Sequence, residues 1–140
     1  MKTPALLLLL AMLTALAPGG CAAPPFRTAD LDCRNTPDCR VQVSVSCSTT
    51  GSCNIVVDHD RVLSRPNGKI DWEIQSSGYT FDGTRGIVFP TALAVFQCHV
   101  EANGRRFSCA NRGDRGEYKY TVNLAGSPSV GPLDPWVVNN

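Results

Sequence analysis

Four carboxylates are the residues of this chain whose types and spacing come closest to an active site. Asp58 and Asp60 lie two positions apart, and so do Asp71 and Glu73. In an extended chain both members of such a pair point to the same side. Paired carboxylates can bind calcium or act as acid and base. The sequence shows no third ligand and no EF-hand spacing, so we expect both pairs to lie on solvated strand faces.

Histidine, serine and thiol chemistry are less well supported. A type 1 copper site needs two histidines and a free cysteine, usually with a methionine. His59 and His99 are the two histidines, but Met1 and Met12 both lie near the N-terminus, in a predicted leader. No G-x-S-x-G elbow presents a serine, and the cysteines are expected to be paired. The sequence therefore predicts no catalytic residue, no metal site and no cofactor, and the protein is not expected to be an enzyme.

The seven cysteines predict a disulfide framework with one residue left over. The left-over residue is Cys21, close behind an apolar N-terminal run. The other six are spaced C-x₅-C, C-x₅-C and C-x₁₀-C, whereas zinc knuckles are usually closer and have histidine nearby. Many connectivities are possible, and the spacing favours pairing between sequence neighbours: Cys33–Cys39, Cys47–Cys53 and Cys98–Cys109. Disulfides indicate an oxidising compartment.

A group of basic residues forms the candidate partner-binding site. Its members are Arg105, Arg106, Arg112, Arg115 and Lys119. Such a group can contact an acidic partner or an anionic envelope surface, and the alternative is a solvated loop. The formal net charge of +1 does not indicate a nucleic-acid binder. Near the C-terminus, Trp136 is interpreted as a plug for the end of the domain, the alternative being an anchor for a partner.

The Asn103-Gly104 pair predicts the hairpin that carries part of this group. Both central residues of a type I′ turn need φ > 0, which suits Asn-Gly. Folding the chain there places Cys98 opposite Cys109. Alternation then defines an apolar face and a polar face. The apolar residues are Phe96, Cys98, Val100, Phe107 and Cys109; the polar residues are Gln97, His99, Glu101, Arg106 and Ser108.

Alternating apolar residues recur along the rest of the chain, as in 41–45, 70–74 and 118–124. Turn residues separate these segments, and no long segment has a helical period. The sequence therefore predicts an all-β domain over residues 33–140, a single antiparallel β-sandwich of about seven short strands with hairpins clamped by disulfides. Residues 1–20 are expected to be a signal peptide, because their apolar run is too short to span a bilayer. Residues 21–32 are expected to be a tether.

Two resemblances add to this interpretation. The segment L-A-P-G-G-C-A-A resembles the lipobox of bacterial lipoproteins, although Pro18 stands where an aliphatic residue is usual. It implies acylation of Cys21 and attachment to the outer membrane, facing the periplasm; cleavage without acylation would give a soluble periplasmic or secreted protein. The segments G-K-I-D-W-E-I, G-Y-T-F, G-E-Y-K-Y-T-V and L-D-P-W-V-V-N, within residues 69–139, look like small exported proteins of Gram-negative bacteria. That resemblance implies an immunoglobulin-like or cupredoxin-like sandwich and no activity.

These observations favour a non-catalytic binding or interaction module held in the cell envelope by a lipid anchor alone. The expected partner is an envelope protein, and an inhibitor or immunity-type lipoprotein is the sharper form of this hypothesis. A structural envelope component without a discrete ligand is the alternative, and a carboxylate-dependent hydrolase is the third. The sequence gives no sign of a nucleic-acid partner.

Overall fold

The computed structural model describes residues 29–92 and 94–140. The predicted signal peptide, Cys21 and most of the predicted tether lie outside the described residues. Within the described part the chain forms thirteen strands, two short 3₁₀ turns (Gly83–Arg85 and Ala102–Gly104) and no α-helix. The strands are β1 Leu31–Asp32, β2 Arg40–Cys47, β3 Cys53–Val57, β4 Arg61–Ser64, β5 Lys69–Ile74, β6 Tyr79–Phe81, β7 Ile87–Val88, β8 Phe96–Glu101, β9 Arg106–Asn111, β10 Gly116–Lys119, β11 Thr121–Val122, β12 Leu124–Gly126 and β13 Trp136–Asn139.

The larger sheet has five strands in the order β3-β2-β5-β9-β8. Strands β2 and β3 form a hairpin, after which the chain crosses to the other sheet as β4 and returns as β5 beside β2. Because β5 returns in the same direction as β2, this pair is parallel, with Val41 opposite Trp72. Strands β8 and β9 then form the second hairpin.

The second sheet has four strands in the order β1-β4-β13-β10. Strand β4 pairs in parallel with both β1 and β13, and β13 is antiparallel to β10. Two small antiparallel pairs, β6–β12 and β7–β11, complete the described strands. The predicted all-β class is confirmed, but the single antiparallel sandwich of about seven strands is wrong, because the sheets are mixed and more numerous. Strand β1 also lies within the segment predicted as a tether.

One apolar core holds the two larger sheets together. Trp72 from β5 is fully buried and packs edge-to-face on Tyr120, with ring centroids 5.2 Å apart. Phe96 from β8 packs in the same way on Tyr118 from β10, at 5.3 Å. Such aromatic pairs contribute about 0.5–1.5 kcal/mol beyond the area they bury.

The three disulfides have the predicted connectivity: Cys33–Cys39, Cys47–Cys53 and Cys98–Cys109. Each closes a loop of short sequence separation, which stabilises the fold by roughly 2–3 kcal/mol in the chain-entropy model. Cys47 lies opposite Cys53 at the mouth of the β2–β3 hairpin, and Cys98 lies opposite Cys109 across β8 and β9. The hairpins clamped by disulfides are therefore confirmed.

The register of the β8–β9 hairpin is as predicted, but two details of its faces are not. The loop has four residues, in which Ala102, Asn103 and Gly104 all have positive φ. Val100, predicted to face the core, is 38% exposed, because it lies near the end of an edge strand. Ser108, predicted to lie on the polar face, is fully buried beneath its neighbours. No helix in the described part of the chain is long and apolar enough to cross a membrane.

Candidate functional site

The predicted basic group does not form one surface. Arg105 and Arg106 lie at the hairpin tip, whereas Arg112 and Arg115 follow the other end of β9. Strand β9 spans six residues, so about 17 Å of extended chain separates the two ends. Lys119 lies at the far end of β10. The five residues are therefore divided among three places.

The two arginines at the hairpin tip are bound to the protein itself. The Arg105 guanidinium donates to the backbone carbonyls of Ile74 (2.7 Å), Ser76 (3.1 Å) and Tyr79 (3.4 Å). Arg106 lies opposite Glu73 in the register and 3.8 Å from its carboxylate. Both side chains are partly buried, so they hold the hairpin against β5 and the following turn.

The remaining arginines have a different environment. Arg112 and Arg115 are exposed, as is Arg65 in the turn after β4. Among the described residues, these three side chains alone of all the arginines and lysines make no ion pair and no hydrogen bond to a carbonyl. The paired cations are Arg34, Arg40, Arg61, Lys69, Arg85, Arg105, Arg106 and Lys119. We call Arg65, Arg112 and Arg115 the arginine end.

A buried polar network brings the arginine end together. Asn111 and Asn139 exchange two amide hydrogen bonds, of 2.6 and 3.0 Å, and both side chains are almost fully buried. Asn111 Nδ2 also donates to the carbonyl of Arg65, at 3.2 Å. Asn139 Nδ2 donates to the carbonyl of Asp114, at 3.1 Å, directly before Arg115.

The same network fixes Gly113, whose N–H donates to Asn111 Oδ1 at 3.0 Å, and it extends to the buried Ser64 hydroxyl. It therefore joins β4 and β13 of the four-stranded sheet to β9 of the five-stranded sheet. The sequence analysis did not identify Arg65 or this network. The only local signal for the network was that two strands each end in an asparagine. Asparagine is also common in turns, so this signal is weak.

The paired carboxylates are used within the sheet. Asp71 accepts a hydrogen bond from the Ser108 hydroxyl and lies 3.1 Å from Lys69 Nζ. Glu73 lies within ion-pair distance of Arg40 as well as Arg106. The Asp71 carboxylate therefore serves to satisfy a buried hydroxyl and a neighbouring cation on the outer face of the sheet.

Asp58 and the histidines likewise have local partners. Asp58 Oδ1 accepts the backbone N–H of Gln42 at 3.0 Å. His99 lies opposite Ser108 in the register, and its Nε2 lies 2.8 Å from Glu101. His59 Nδ1 lies 2.7 Å from the carbonyl of Ala29. In the described residues, no group of three or more histidine, cysteine or acidic side chains is placed to hold a metal ion.

Trp136 is an exposed residue and not a plug, so that interpretation is wrong. Its side chain is 42% exposed although β13 is an inner strand, between β4 and β10. It lines an open cleft of about 320 Å³ together with Asp60, Leu133, Asp134 and Pro135. The plug interpretation failed because the parallel β13–β4 pairing, which the local sequence does not reveal, turns this side chain outward.

Asp134 has two polar partners beside the cleft. Its carboxylate accepts a hydrogen bond from the Thr121 hydroxyl at 2.8 Å, and Lys119 Nζ lies 3.2 Å away. These two contacts, the Thr121 bond first, lower the pKa of Asp134 below its usual value. The Asp134 carboxylate is therefore ionised at neutral pH.

Comparison with known proteins gives no assignment, since no protein-family model and no curated protein matches the chain.

Proposed function

We propose that this protein is an exported, non-catalytic binding module of the cell envelope that contacts an acidic partner protein through the arginine end. The observation that carries this proposal is the absence of any carboxylate or carbonyl partner for Arg65, Arg112 and Arg115, within the described residues. All the other described cations have one. Three uncompensated cations at one end of a nearly neutral protein complement an acidic surface.

The chemistry of arginine suits this task. A guanidinium group binds a carboxylate through two parallel hydrogen bonds, so it gives direction as well as charge. The buried Asn111–Asn139 network orders the two loops before a partner arrives, which lowers the entropic cost of binding. Asp114 is the one acidic side chain within the same loop, so a net positive charge is left for the partner.

In its finer form the proposal is an inhibitor or immunity-type lipoprotein, whose arginine end occupies an acidic cleft of another envelope protein. A lipid anchor on Cys21, with the domain facing the periplasm from the outer membrane, belongs to the same proposal. The intact mass of the mature protein tests the anchor. An acylated mass on Cys21 is expected, and an unacylated chain that begins after Cys21 would overturn that part.

The partner surface is tested by photo-crosslinking in living cells. A photoreactive amino acid placed at position 115, or at position 112, is expected to give one discrete adduct with another envelope protein. The same amino acid at Val56, an exposed position on β3 at the opposite edge of the five-stranded sheet from β8, serves as the control. Adducts that are equal at all three positions, or absent from 112 and 115, would favour a structural component without a discrete ligand.

Charge dependence is tested with two triple variants. R65Q/R112Q/R115Q removes the unpaired cations, whereas R34Q/K69Q/R85Q removes three cations that already have carboxylate partners. We expect the first variant to lose the adduct that a photoreactive residue at the exposed position 114 forms, and the second to keep it. Equal loss in both variants would mean that only overall charge matters.

A further inference from the structure

The cleft beside Trp136 is a second feature, independent of the arginine end. Trp136 exposes a large aromatic surface to water, although it lies on an inner strand. A small or polar residue at this position would avoid that exposure, so the exposed indole suggests a binding surface. Leu133 and Pro135 supply the apolar wall next to it, and Asp60 and Asp134 supply carboxylates. A cleft of about 320 Å³ is large enough for one long side chain, at the lower limit of ligand pockets.

The charged residues that line the cleft determine which sign of charge a ligand should carry. Both ionisable side chains in its lining are acidic, and Asp134 is fixed by Thr121 and Lys119. On the rim, Arg61 lies opposite Trp136 in the register, but its guanidinium is bound to Glu117 at 2.9 Å. An anion in the cleft would be repelled by the carboxylates, and a neutral apolar group would desolvate them without compensation.

We propose that this cleft binds a basic side chain, lysine or arginine, of a partner polypeptide. The positive group lies against the face of Trp136, which attracts cations through its π system. The carboxylate of Asp134 supplies the opposite charge and accepts a hydrogen bond. The alkyl part of the side chain lies against Leu133 and Pro135, as the stems of lysine and arginine do on apolar surfaces.

Lys119 is the internal competitor for this site. Its ammonium group already lies 3.2 Å from Asp134. Lys119 itself lies directly opposite Trp136 in the register of β10 and β13. An incoming cation must share or replace that contact. Removal of Lys119 should therefore strengthen binding, an outcome that damage to the fold would not produce.

The test uses Nα-acetyl-lysine amide as the probe and Nα-acetyl-norleucine amide as its neutral counterpart of similar shape. The readout is the indole N–H resonance in NMR spectra, since Trp72 and Trp136 are the two tryptophans and W136F identifies each. We expect the lysine probe to shift the Trp136 signal in a saturable way and to bind about tenfold more tightly than the norleucine probe. The signal of the buried Trp72 should not move.

Three variants complete the test. D134N should weaken binding of the lysine probe, K119Q should strengthen it, and V100A, on the other sheet, should leave it unchanged. Equal binding of lysine and norleucine would reduce the cleft to an apolar crevice and overturn the proposal, as would no saturable shift at all. Tighter binding of choline than of the lysine probe would assign the cleft to a lipid headgroup and overturn the assignment to a polypeptide. None of these outcomes depends on the arginine end, so the two proposals fail separately.

Discussion

At the scale of single residues, the hydroxyl groups of two buried tyrosines differ in their hydrogen bonding. The Tyr79 hydroxyl donates to the carbonyl of Pro128 at 2.8 Å. The Tyr120 hydroxyl and Nε1 of the neighbouring Trp72 are both buried without a hydrogen bond of normal geometry, and the two groups interact only weakly with each other. Burial raises the pKa of Tyr120 far above its ordinary value of 10.0, so this phenol is neutral in the folded protein.

The two tyrosines should therefore respond differently to the same substitution. Tyr120→Phe removes a hydroxyl that makes no hydrogen bond of normal geometry, so we expect it to leave the free energy of unfolding unchanged or to raise it by up to about 1 kcal/mol. Tyr79→Phe removes the hydrogen bond to the Pro128 carbonyl and should lower the free energy of unfolding by about 1 kcal/mol. Urea unfolding of both variants measures the difference. A marked loss for Tyr120→Phe would show that its hydroxyl has a partner in solution.

Tyr120 also predicts a dependence on alkaline pH. Its raised pKa means that the folded state retains the phenol proton after the unfolded chain has lost it. The contribution of Tyr120 is thus fully present below pH 10.0, the ordinary value, and is lost as the pH rises above it. Above that pH the unmodified protein should lose unfolding free energy that the Tyr120→Phe variant keeps. The difference between the two, measured by urea unfolding, should therefore grow in favour of the variant.

At the scale of elements, the tip of the β8–β9 hairpin is fastened to the neighbouring backbone by the Arg105 side chain. Arg105 donates to three carbonyls: one at the end of β5, one in the following turn and one at the start of β6. Its own backbone carbonyl accepts the N–H of Ile74 at 2.9 Å. Gly104 beside it has a φ of 80° and lies against Thr80, so the loop passes close to β6 where little space is left.

Arg105→Ala should lower the free energy of unfolding by at least about 2 kcal/mol, because three partly buried carbonyls lose a charged donor. Arg105→Lys should recover only part of this loss, since one ammonium group cannot reproduce the planar fork of a guanidinium. Arg115→Ala, at an exposed and unpaired position, is the control and should change stability by less than about 0.5 kcal/mol. Equal effects at 105 and 115 would contradict the role given to Arg105.

At the scale of the whole molecule, two kinds of contact hold the sheets together. The aromatic core does so through Trp72, Phe96 and their partners. The Asn111–Asn139 network joins the sheets through polar groups. Its two amides are almost fully buried, and they form hydrogen bonds with each other and with nearby backbone. Because buried amides are costly when unpaired, each asparagine depends on the other.

Asn111→Ala should therefore lower the free energy of unfolding by about 3 kcal/mol, and Asn139→Ala by a similar amount. The double variant should cost clearly less than the sum, with a coupling energy of about 1 kcal/mol or more in a double-mutant cycle. Asn123→Ala, which removes a more exposed bond to the carbonyl of Arg85, is the matched control. Strict additivity at 111 and 139 would show that the two amides do not act as one unit.

Local pattern was sufficient to predict much of this fold. Alternation of apolar residues located the β2, β5, β8 and β9 strands, because side chains of a strand alternate between its faces. The Asn103-Gly104 pair and the cysteine spacing predicted the β8–β9 register and all three disulfides. These features depend on residues close together in the chain, where few arrangements compete.

The tertiary structure alone decided the strand order and the candidate surfaces. Placement of β5 beside β2, and of β13 between β4 and β10, follows from packing between segments far apart in sequence, which no local pattern specifies. That packing turned Trp136 outward and placed Arg65 beside Arg112 and Arg115. It also used Arg105, Arg106 and Lys119 for internal contacts. The sequence by itself determined the main strands and which cysteines pair. The tertiary structure determined the short strands and which charges are left for a partner, because a side chain is available only after its neighbours in space have been satisfied.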